Sequence, residues 1–340
     1  MSKSILTYSS IKLFQSCRWK YNQRYNNNLT PFKEKDVLYL GSVWHSVLEI
    51  WYGPGDYDSQ IEKAIALIDK SFPDYLTDAK QKQNWHLCHA MFQGYINRYP
   101  EEDFKPLGLE MEFVIPIINP LTGRSSRTFE LRGKVDGLVQ LTQSGELFLL
   151  EHKTAAQVST DYIERLPFDF QINLYAMALS RFLKLKISGV IYNVIRKAKL
   201  KQSEGETEEQ YEIRKAELIR KSKSGKTSAK RKMPESDEIY RKRLIDKYND
   251  TEMYYREVLY LSDQDAVRTS SELWDIAKLI RIAKRDNNWI PNWDNCFQFG
   301  NQPCTYWPLC RSNNNPLVLE NYYTVKEPHT ELSKEAKSIF

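Results

Sequence analysis

Hydrophobic positions recur at helical spacing through most of the first hundred residues. The stretch YSSIKLFQSCRWKYNQRY follows a Ser-Ser start with regularly spaced apolar and aromatic residues, which predicts a capped helix carrying Cys17. GSVWHSVLEIWY predicts a second helix, with His45 and Glu49 four residues apart and so on one face. Residues 58–98 continue the helical patterns. We therefore expect a mainly helical N-terminal region over residues 1–106.

The pattern changes to short β-rich runs after about Leu107. LGLEMEFVIPI, TFELRGKVDGLVQL and ELFLLEHKTA are separated by turn-like stretches, which predicts a meander of three strands. FDFQINLYAMALSRFL returns to helical spacing, and ISGVIYNVIR is an apolar, β-branched run suited to a strand covered on both faces. These elements predict an α/β fold, with a mixed sheet flanked by helices and its core at residues 107–196.

Charge dominates residues 197–247. Between Arg196 and Lys247 there are 17 Lys and Arg against 10 Asp and Glu, a local charge of +7 in a chain whose net charge is +5. Either a solvated helical excursion or a partly disordered insertion fits this composition. We expect a strand, an amphipathic helix and a cysteine cluster over residues 248–315, followed by a tail at 316–340.

Composition restricts the class of protein. With 340 residues, of which 41% are hydrophobic, the chain can bury one large core or two modest ones. No apolar run approaches the ~20 residues that cross a bilayer, and the first residues lack the features of a signal peptide, so we expect a cytoplasmic protein. Its five cysteines are an odd number, which argues against a disulfide framework.

Three charged residues interrupt the two strands on either side of the turn-like TQSG stretch. A hairpin that turns at Ser144-Gly145 sets Asp136 opposite Lys153, with Glu151 one diagonal away. Alternation puts Glu151 and Lys153 on one face and His152 on the other. Neighbouring carboxylates repel unless a cation neutralises them, and Mg²⁺ prefers such oxygen ligands. The pattern favours a phosphodiester-hydrolysing site; a structural salt bridge between Asp136 and Lys153 is the alternative.

The order of these motifs resembles that of the PD-(D/E)XK nucleases, and among them the RecB-like exonuclease domains. Asp136 matches the metal-binding Asp of the family, and Glu151 and Lys153 match its Glu-x-Lys pair. GSVWHSVLE is similar to the upstream helix that supplies a His ligand. The resemblance therefore implies that Asp136, Glu151, His45 and the backbone carbonyl of His152 hold Mg²⁺ or Mn²⁺.

The resemblance covers roughly residues 8–310 and extends to residues near the DNA. QINLY matches the downstream Gln-x-x-x-Tyr helix, which implies that Gln171 and Tyr175 touch DNA and support the site. Glu110 and Glu112 share one face of the preceding strand, and a Glu on that strand often helps the site in this family. Of the two we favour Glu112 as a further metal ligand.

Four cysteines lie outside the predicted nuclease core. Cys296, Cys304 and Cys310 need a fourth partner to hold a tetrahedral zinc or a [4Fe-4S] cluster, and Cys17 is the candidate. Spacing alone does not separate the two metals. RecB-like nucleases with an iron-sulfur staple, such as the AddB type and the CRISPR-associated exonucleases, carry one Cys before the core and three after it. The resemblance thus implies a [4Fe-4S] cluster that clamps the two ends of the chain together.

The resulting expectation is a metal-dependent DNA exonuclease acting at single-stranded or frayed ends, in recombination, repair or DNA-end processing. A helicase or a recombination protein is its expected partner, and the basic segment at 197–247 is a candidate DNA-holding arm because clustered Lys and Arg release phosphate counterions. Two other classes stay open. One is a non-catalytic DNA-end-binding scaffold for a helicase or integrase, and the other is a DNA endonuclease.

Overall fold

A mixed sheet of six strands forms the centre of the structure. The computed structural model describes residues 3–32, 36–222, 224–298, 302–330 and 332. The strands, in chain order, are β1 (Ser4–Leu6), β2 (Leu29–Pro31), β3 (Phe104–Ile118), β4 (Ser125–Leu141), β5 (Leu147–Ala155), β6 (Gly189–Arg196), β7 (Tyr254–Tyr260), β8 (Phe297–Gln298), β9 (Gln302–Pro303) and β10 (Tyr323–Val325).

The sheet has the order β1-β4-β5-β6-β7, and β3 also pairs with β4. Strands β3, β4 and β5 form an antiparallel meander, β5 and β6 are parallel, and β7 returns antiparallel to β6. The predicted meander and the predicted mixed sheet are therefore confirmed. The pairs β2-β10 and β8-β9 form two small separate ribbons.

Helices cover the sheet. They are α1 (Tyr8–Ser16), α2 (Arg18–Tyr21), α3 (Asp36–Tyr52), α4 (Tyr57–Ser71), α5 (Ala79–Arg98), α6 (Thr160–Glu164), α7 (Phe170–Leu183), α8 (Glu208–Lys221), α9 (Asp237–Tyr248), α10 (Asp263–Arg285), α11 (Trp307–Arg311) and α12 (Pro316–Tyr322). Within the described parts of the chain, no helix is both long and apolar enough to span a membrane.

The first helix begins one residue before the predicted Ser-Ser start. Thr7 is its N-cap, and the Thr7 hydroxyl accepts a hydrogen bond from the Ser10 backbone N–H at 3.2 Å while the Ser10 hydroxyl accepts one from the Thr7 N–H at 2.9 Å. The helix ends at Ser16, so Cys17 lies between α1 and α2 rather than within a helix. Because α1 stops there, the Cys17 thiol lies at the bend between α1 and α2.

Two apolar layers lie on opposite faces of the sheet. Helices α1, α7 and α10 supply one layer, and α3, α4, α5 and α9 supply the other. Side chains of a strand alternate between faces, so Leu149 of β5 packs in the first layer while Phe148 and Leu150 pack in the second. The sheet is therefore covered on both sides, and the charged positions within its strands are exceptions that need partners.

The charged segment after β6 is only partly solvated. Helix α8 buries none of its residues, in agreement with a solvated helical excursion. Helix α9 instead packs against α5 and buries Tyr240, Leu244 and Tyr248. The expected solvated helix or partly disordered insertion therefore does not describe α9, whose Tyr240, Leu244 and Tyr248 recur every four residues on one buried face.

The two ends of the described chain meet beside the sheet. Strand β10 pairs antiparallel with β2, and the Tyr306 hydroxyl donates to the Leu29 carbonyl at 2.6 Å. Leu309 and Tyr323 complete a small apolar cluster with these residues. This contact brings the cysteine-bearing C-terminal segment next to the N-terminal helices.

Candidate active site

Strands β4 and β5 carry the three charged residues of the predicted hairpin site. Gly137 pairs with Leu150 and Gln140 with Leu147, a register two residues away from the predicted one. The turn closes through hydrogen bonds between Leu141 and Glu146 and between Gly145 and Leu141, both 2.9 Å, so it is centred one residue earlier than Ser144-Gly145. The pairing of Asp136 with Lys153 was therefore wrong, and extending the observed register sets Asp136 opposite Glu151.

Asp136 lies where the β4-β5 ladder ends. Its Oδ2 accepts a hydrogen bond from the His152 backbone N–H at 2.7 Å, so the carboxylate occupies the place of a backbone carbonyl. Its other oxygen, Oδ1, is 3.2 Å from Nδ1 of His45 on α3. Asp136 thus joins the sheet to the helix that covers it.

Glu151 and Lys153 point to the same side of β5 and form an ion pair. Gln171, in the first turn of α7, donates from Nε2 to Glu151 Oε1 at 2.9 Å and accepts from Lys153 Nζ at 3.3 Å. Asp169 caps this helix by accepting the Gln171 backbone N–H at 2.7 Å. The structure therefore brings Gln171 to the Glu-x-Lys pair, and the capped helix holds the three polar side chains in one arrangement.

Three possible metal ligands meet where the middle of β3 runs beside Asp136. Ligand atoms of His45, Glu110 and Asp136 all lie within 4.8 Å of one another. This is the one such group of at least three His, Cys, Asp or Glu residues in the described chain. Two carboxylates and an imidazole are donors that a divalent cation such as Mn²⁺ accepts, and the carboxylates suit Mg²⁺. The residues present therefore fit a bound divalent ion.

The metal-ligand group contains Glu110 and not Glu112, so it does not support the predicted preference for Glu112 as a ligand. Leu109 pairs with Gly137 and Met111 with Val135, so Glu110 lies opposite Asp136. Glu110 has a left-handed backbone, with φ 48°, and this local irregularity is not foreseen by strand alternation. Its carboxylate also pairs with the Lys134 ammonium. Glu112 lies further along β3 and is not a member of the group.

The carboxylates of Asp136 and Glu151 experience opposite electrostatic environments. Burial opposes ionisation of Asp136, but the hydrogen bond and positive charge of His45 outweigh it and lower the pKa of Asp136. Burial raises the pKa of Glu151, and although Lys153 opposes this, the Asp136 charge adds to it. The same contacts with Asp136 overcome burial and raise the pKa of His45. Negative charge is thus crowded here, as expected of a site that takes a cation.

His152 sends its side chain to the face opposite Glu151 and Lys153, as predicted. Its ring stacks on Tyr52 with centroids 5.7 Å apart, and Nδ1 lies 3.0 Å from the Asn193 amide nitrogen. Burial lowers the pKa of His152 to about 3, so the ring is neutral. A ligand role for its backbone carbonyl stays a prediction.

A buried polar network lies behind His152. The Asn193 amide donates to the Tyr95 hydroxyl at 2.8 Å, and Arg256 donates to that hydroxyl at 3.1 Å. Arg256 also pairs with Glu102, which accepts a hydrogen bond from the Tyr52 hydroxyl at 2.6 Å. Sequence reasoning missed this network because its members are far apart in the chain and each has a common residue type.

Tyr175 lies one turn after Gln171 but within the first apolar layer. It is 9% exposed, and its ring packs edge-on against Tyr8 and Phe113 at 6.2 Å and 5.6 Å. The structure thus places it beneath the site, where it supports α7. Its predicted contact with DNA stays a prediction.

Four cysteines meet where the N- and C-terminal segments join. All five cysteines of the chain are free thiols. Burial raises the pKa of Cys310 to about 11, and repulsion from Cys17, Cys296 and Cys304 adds to it. The Cys17 and Cys304 sulfurs each accept a backbone N–H at 3.4 Å, from Asn292 and Tyr306. Among the described residues these sulfurs do not form a compact ligand group, so the predicted cluster stays a prediction.

Comparison with known proteins identifies relatives of this arrangement. A family model described as the PD-(D/E)XK nuclease superfamily matches residues 5–311. No curated protein is similar enough to count as a match. A crystal structure of a candidate exonuclease from Eubacterium rectale aligns at 11% identity with a TM-score of 0.44, covering 96% of this chain and 91% of that one. A structural likeness of this size is too slight to bear on function.

Proposed function

Because the chain belongs to the PD-(D/E)XK nuclease superfamily, we propose that it is a divalent-metal-dependent deoxyribonuclease that removes nucleotides from single-stranded or frayed DNA ends. The observation that carries the proposal is the group of His45, Glu110 and Asp136 beside the ion pair of Glu151 and Lys153. A structural salt bridge alone would not need a second carboxylate and an imidazole at the same point.

Asp136, His45 and Glu110 would hold Mg²⁺ or Mn²⁺, with Glu151 and the His152 carbonyl as the further predicted ligands. A divalent ion bound there supplies positive charge that makes water a better nucleophile and the phosphate a better electrophile. Asp136 contributes a carboxylate already ionised, because its pKa is lowered. Its hydrogen bond from the His152 N–H fixes the direction in which its second oxygen points.

Lys153 serves as the fixed cation of the site. Burial disfavours its charge, but Glu151 and Asp136 outweigh burial and raise its pKa. The ammonium therefore stays protonated and is suited to stabilise negative charge on a phosphate rather than to act as a base. Gln171 holds Lys153 and Glu151 together, so it positions both groups without taking a proton.

We also propose that Cys17, Cys296, Cys304 and Cys310 hold a [4Fe-4S] cluster. Four thiolates around one zinc lie ~3.8 Å apart, given ~2.3 Å bonds and tetrahedral angles. In the described chain no three of these sulfurs lie within 4.8 Å of one another, so their spacing does not match a zinc site, and the choice of the cluster rests on the resemblance to iron-sulfur nucleases. Such a cluster would tie α1 to the C-terminal segment and stabilise the fold without redox work.

Anaerobic purification with iron and sulfide analysis tests the cluster. Wild type is expected to be brown, and Cys304→Ser is expected to lose colour and thermal stability. Cys88→Ala is the matched control, because Cys88 is buried in α5. A wild type that contains zinc, or no metal, would refute the cluster and leave the nuclease proposal standing.

End-labelled linear single strands, duplexes and closed single-stranded circles, each incubated with Mn²⁺, test the nuclease proposal. Wild type and the control Asp161→Ala, which removes an exposed carboxylate of α6, are expected to shorten linear strands and spare circles. Asp136→Ala is expected to be inactive. Cleavage of circles would identify an endonuclease instead. If wild type and Asp136→Ala are equally inert yet bind DNA ends, the chain is a scaffold.

A further inference from the structure

A pocket of about 820 Å³ opens beside the metal-ligand group. The two elements that supply metal ligands also supply its walls: Glu49 follows His45 by one turn of α3, and Leu109 precedes Glu110 on β3. Residues one helical turn apart have Cβ atoms ~5–6 Å from each other. The pocket therefore adjoins the metal-ligand group at which the phosphate is cut in the proposed reaction.

One polar side chain of this pocket has no side-chain hydrogen bond to the described residues. Gln60 of α4 is 4% exposed, lines the pocket, and forms no side-chain hydrogen bond within the part of the chain that the structure describes. The amide atoms of Gln60 are not fully enclosed, so they face the open pocket, where a ligand can replace water as their hydrogen-bond partner. The donor and acceptor of one amide match the paired donor and acceptor on the edge of a nucleobase.

Two glycines keep the Gln60 amide in place. A Cβ on Gly55 would lie 3.1 Å from the Gln60 amide oxygen, and Gly55 has a φ of 151° that L side chains rarely adopt. A Cβ on Gly53 would lie 3.4 Å from the amide nitrogen and 3.0 Å from the Glu49 carbonyl oxygen. Larger residues at either position would press on the amide or on the helix end, so the loop is shaped around Gln60.

The rest of the lining suits a base rather than a free anion. Pro54, Leu107 and Leu109 offer apolar surface for the faces of a ring, and Leu107 is 50% exposed. Glu49 is acidic, which repels a phosphate inside the pocket but accepts hydrogen bonds from the amino group of a base. Lys63 is exposed and can meet a backbone phosphate outside.

We propose that this pocket takes one unstacked nucleobase of the strand being cut, with its edge on the Gln60 amide and its faces against Pro54 and Leu107. The proposal rests on the proposed nuclease function and gives it a physical basis for preferring single strands. A base can enter a pocket only after it leaves its stack, and unstacking is cheapest in a single strand or at a frayed end.

Single-stranded oligonucleotides with one abasic site, moved by one nucleotide from substrate to substrate, test the pocket. Wild type is expected to lose about tenfold in cleavage rate when the abasic site falls at one position relative to the cut. Gln60→Leu is expected to reduce that loss at least threefold while cutting the abasic substrate as wild type does. Leu107→Ala is expected to act in the same direction, and its exposed position protects it from misfolding. Gln264→Leu, an exposed change on α10, should behave as wild type.

Two results would overturn the pocket: a wild type that cleaves every abasic substrate equally, or a Gln60→Leu variant that keeps the full penalty. If wild type cuts nothing, the proposed function fails by itself. The affinity of wild type for the same oligonucleotides, measured by fluorescence anisotropy with Ca²⁺, then decides the pocket alone. A position-specific loss of affinity supports it, and equal affinities refute it.

Discussion

Arg256 is the centre of the polar network behind the site, and its replacement by Met should be costly. Its guanidinium donates to both carboxylate oxygens of Glu102 and, at 3.2 Å, to Oδ1 of Asn193. It also lies 3.7 Å from the ring centroid of Tyr99. The Arg256 and Glu102 side chains are only 17% and 14% exposed, so Met would leave a largely buried carboxylate without its cation.

The expected loss is about 3 kcal/mol of the free energy of unfolding, because removing one partner of a buried ion pair costs ~3–5 kcal/mol. Replacing Glu102 by Gln as well removes the stranded charge, so the double variant should be less destabilised than the sum of the singles by ~2 kcal/mol. Asn193 should also be less well held, and its contact with His152 on β5 should weaken.

Urea unfolding of the two single variants and the double variant measures these free energies. Arg268→Met is the matched control, since Arg268 is 48% exposed and pairs with Asp265 on a helix surface, and it should cost less than ~1 kcal/mol. If Arg256→Met costs no more than this control, or if the effects of the two single changes simply add, the network does not stabilise the fold as described.

Two further predictions concern parts of the second apolar layer. Gly94→Ala should destabilise the fold by ~1–3 kcal/mol, because the new Cβ would lie 2.5 Å from Cβ of Tyr248. In the control Gly41→Ala the new Cβ meets nothing closer than 3.9 Å, so this variant should not be destabilised. Thermal unfolding of the two variants distinguishes them. Burial and then the Arg241 charge lower the pKa of His86 to about 4, so folding stability should fall as the pH drops from ~6.5 towards 4, because the unfolded chain takes up the proton first. The loss of unfolding free energy between pH 7 and pH 5, measured by urea unfolding, should be ~2 kcal/mol smaller in His86→Gln than in wild type. Equal losses in the two proteins would contradict the burial of a neutral ring.

The spacing of hydrophobic residues predicted the helices and strands well. It did not predict the β4-β5 register or the backbone conformation of Glu110. The meander and the helices that cover it follow from alternation and helical spacing. The β4-β5 register was missed by two residues because the turn is closed by hydrogen bonds between Leu141, Gly145 and Glu146, which no residue type announces. Glu110 was passed over because a left-handed residue inside a strand cannot be read from alternation.

Some long-range groupings could be predicted from the sequence, and others could not. The grouping of Cys17 with three cysteines 279 or more residues away was predicted because three thiolates need a fourth ligand to hold a metal group, and that shared group stays a prediction. The contact of Arg256 with Glu102 was not, because charged pairs of this kind are common and most lie on the surface. Burial of α9 was also missed, since its three buried residues are diluted by charge.

The most direct test of the central claim is single-turnover cleavage of a labelled single strand by protein stripped of divalent metal and then supplied with Mg²⁺ or Mn²⁺. Wild type and the surface control Lys284→Met should regain activity with the metal. Lys153→Met should cut at least ~100-fold more slowly while Mn²⁺ still raises its melting temperature, because it loses a stabilising cation but no metal ligand. Cleavage without any metal, or a Lys153→Met variant as fast as wild type, would contradict the account.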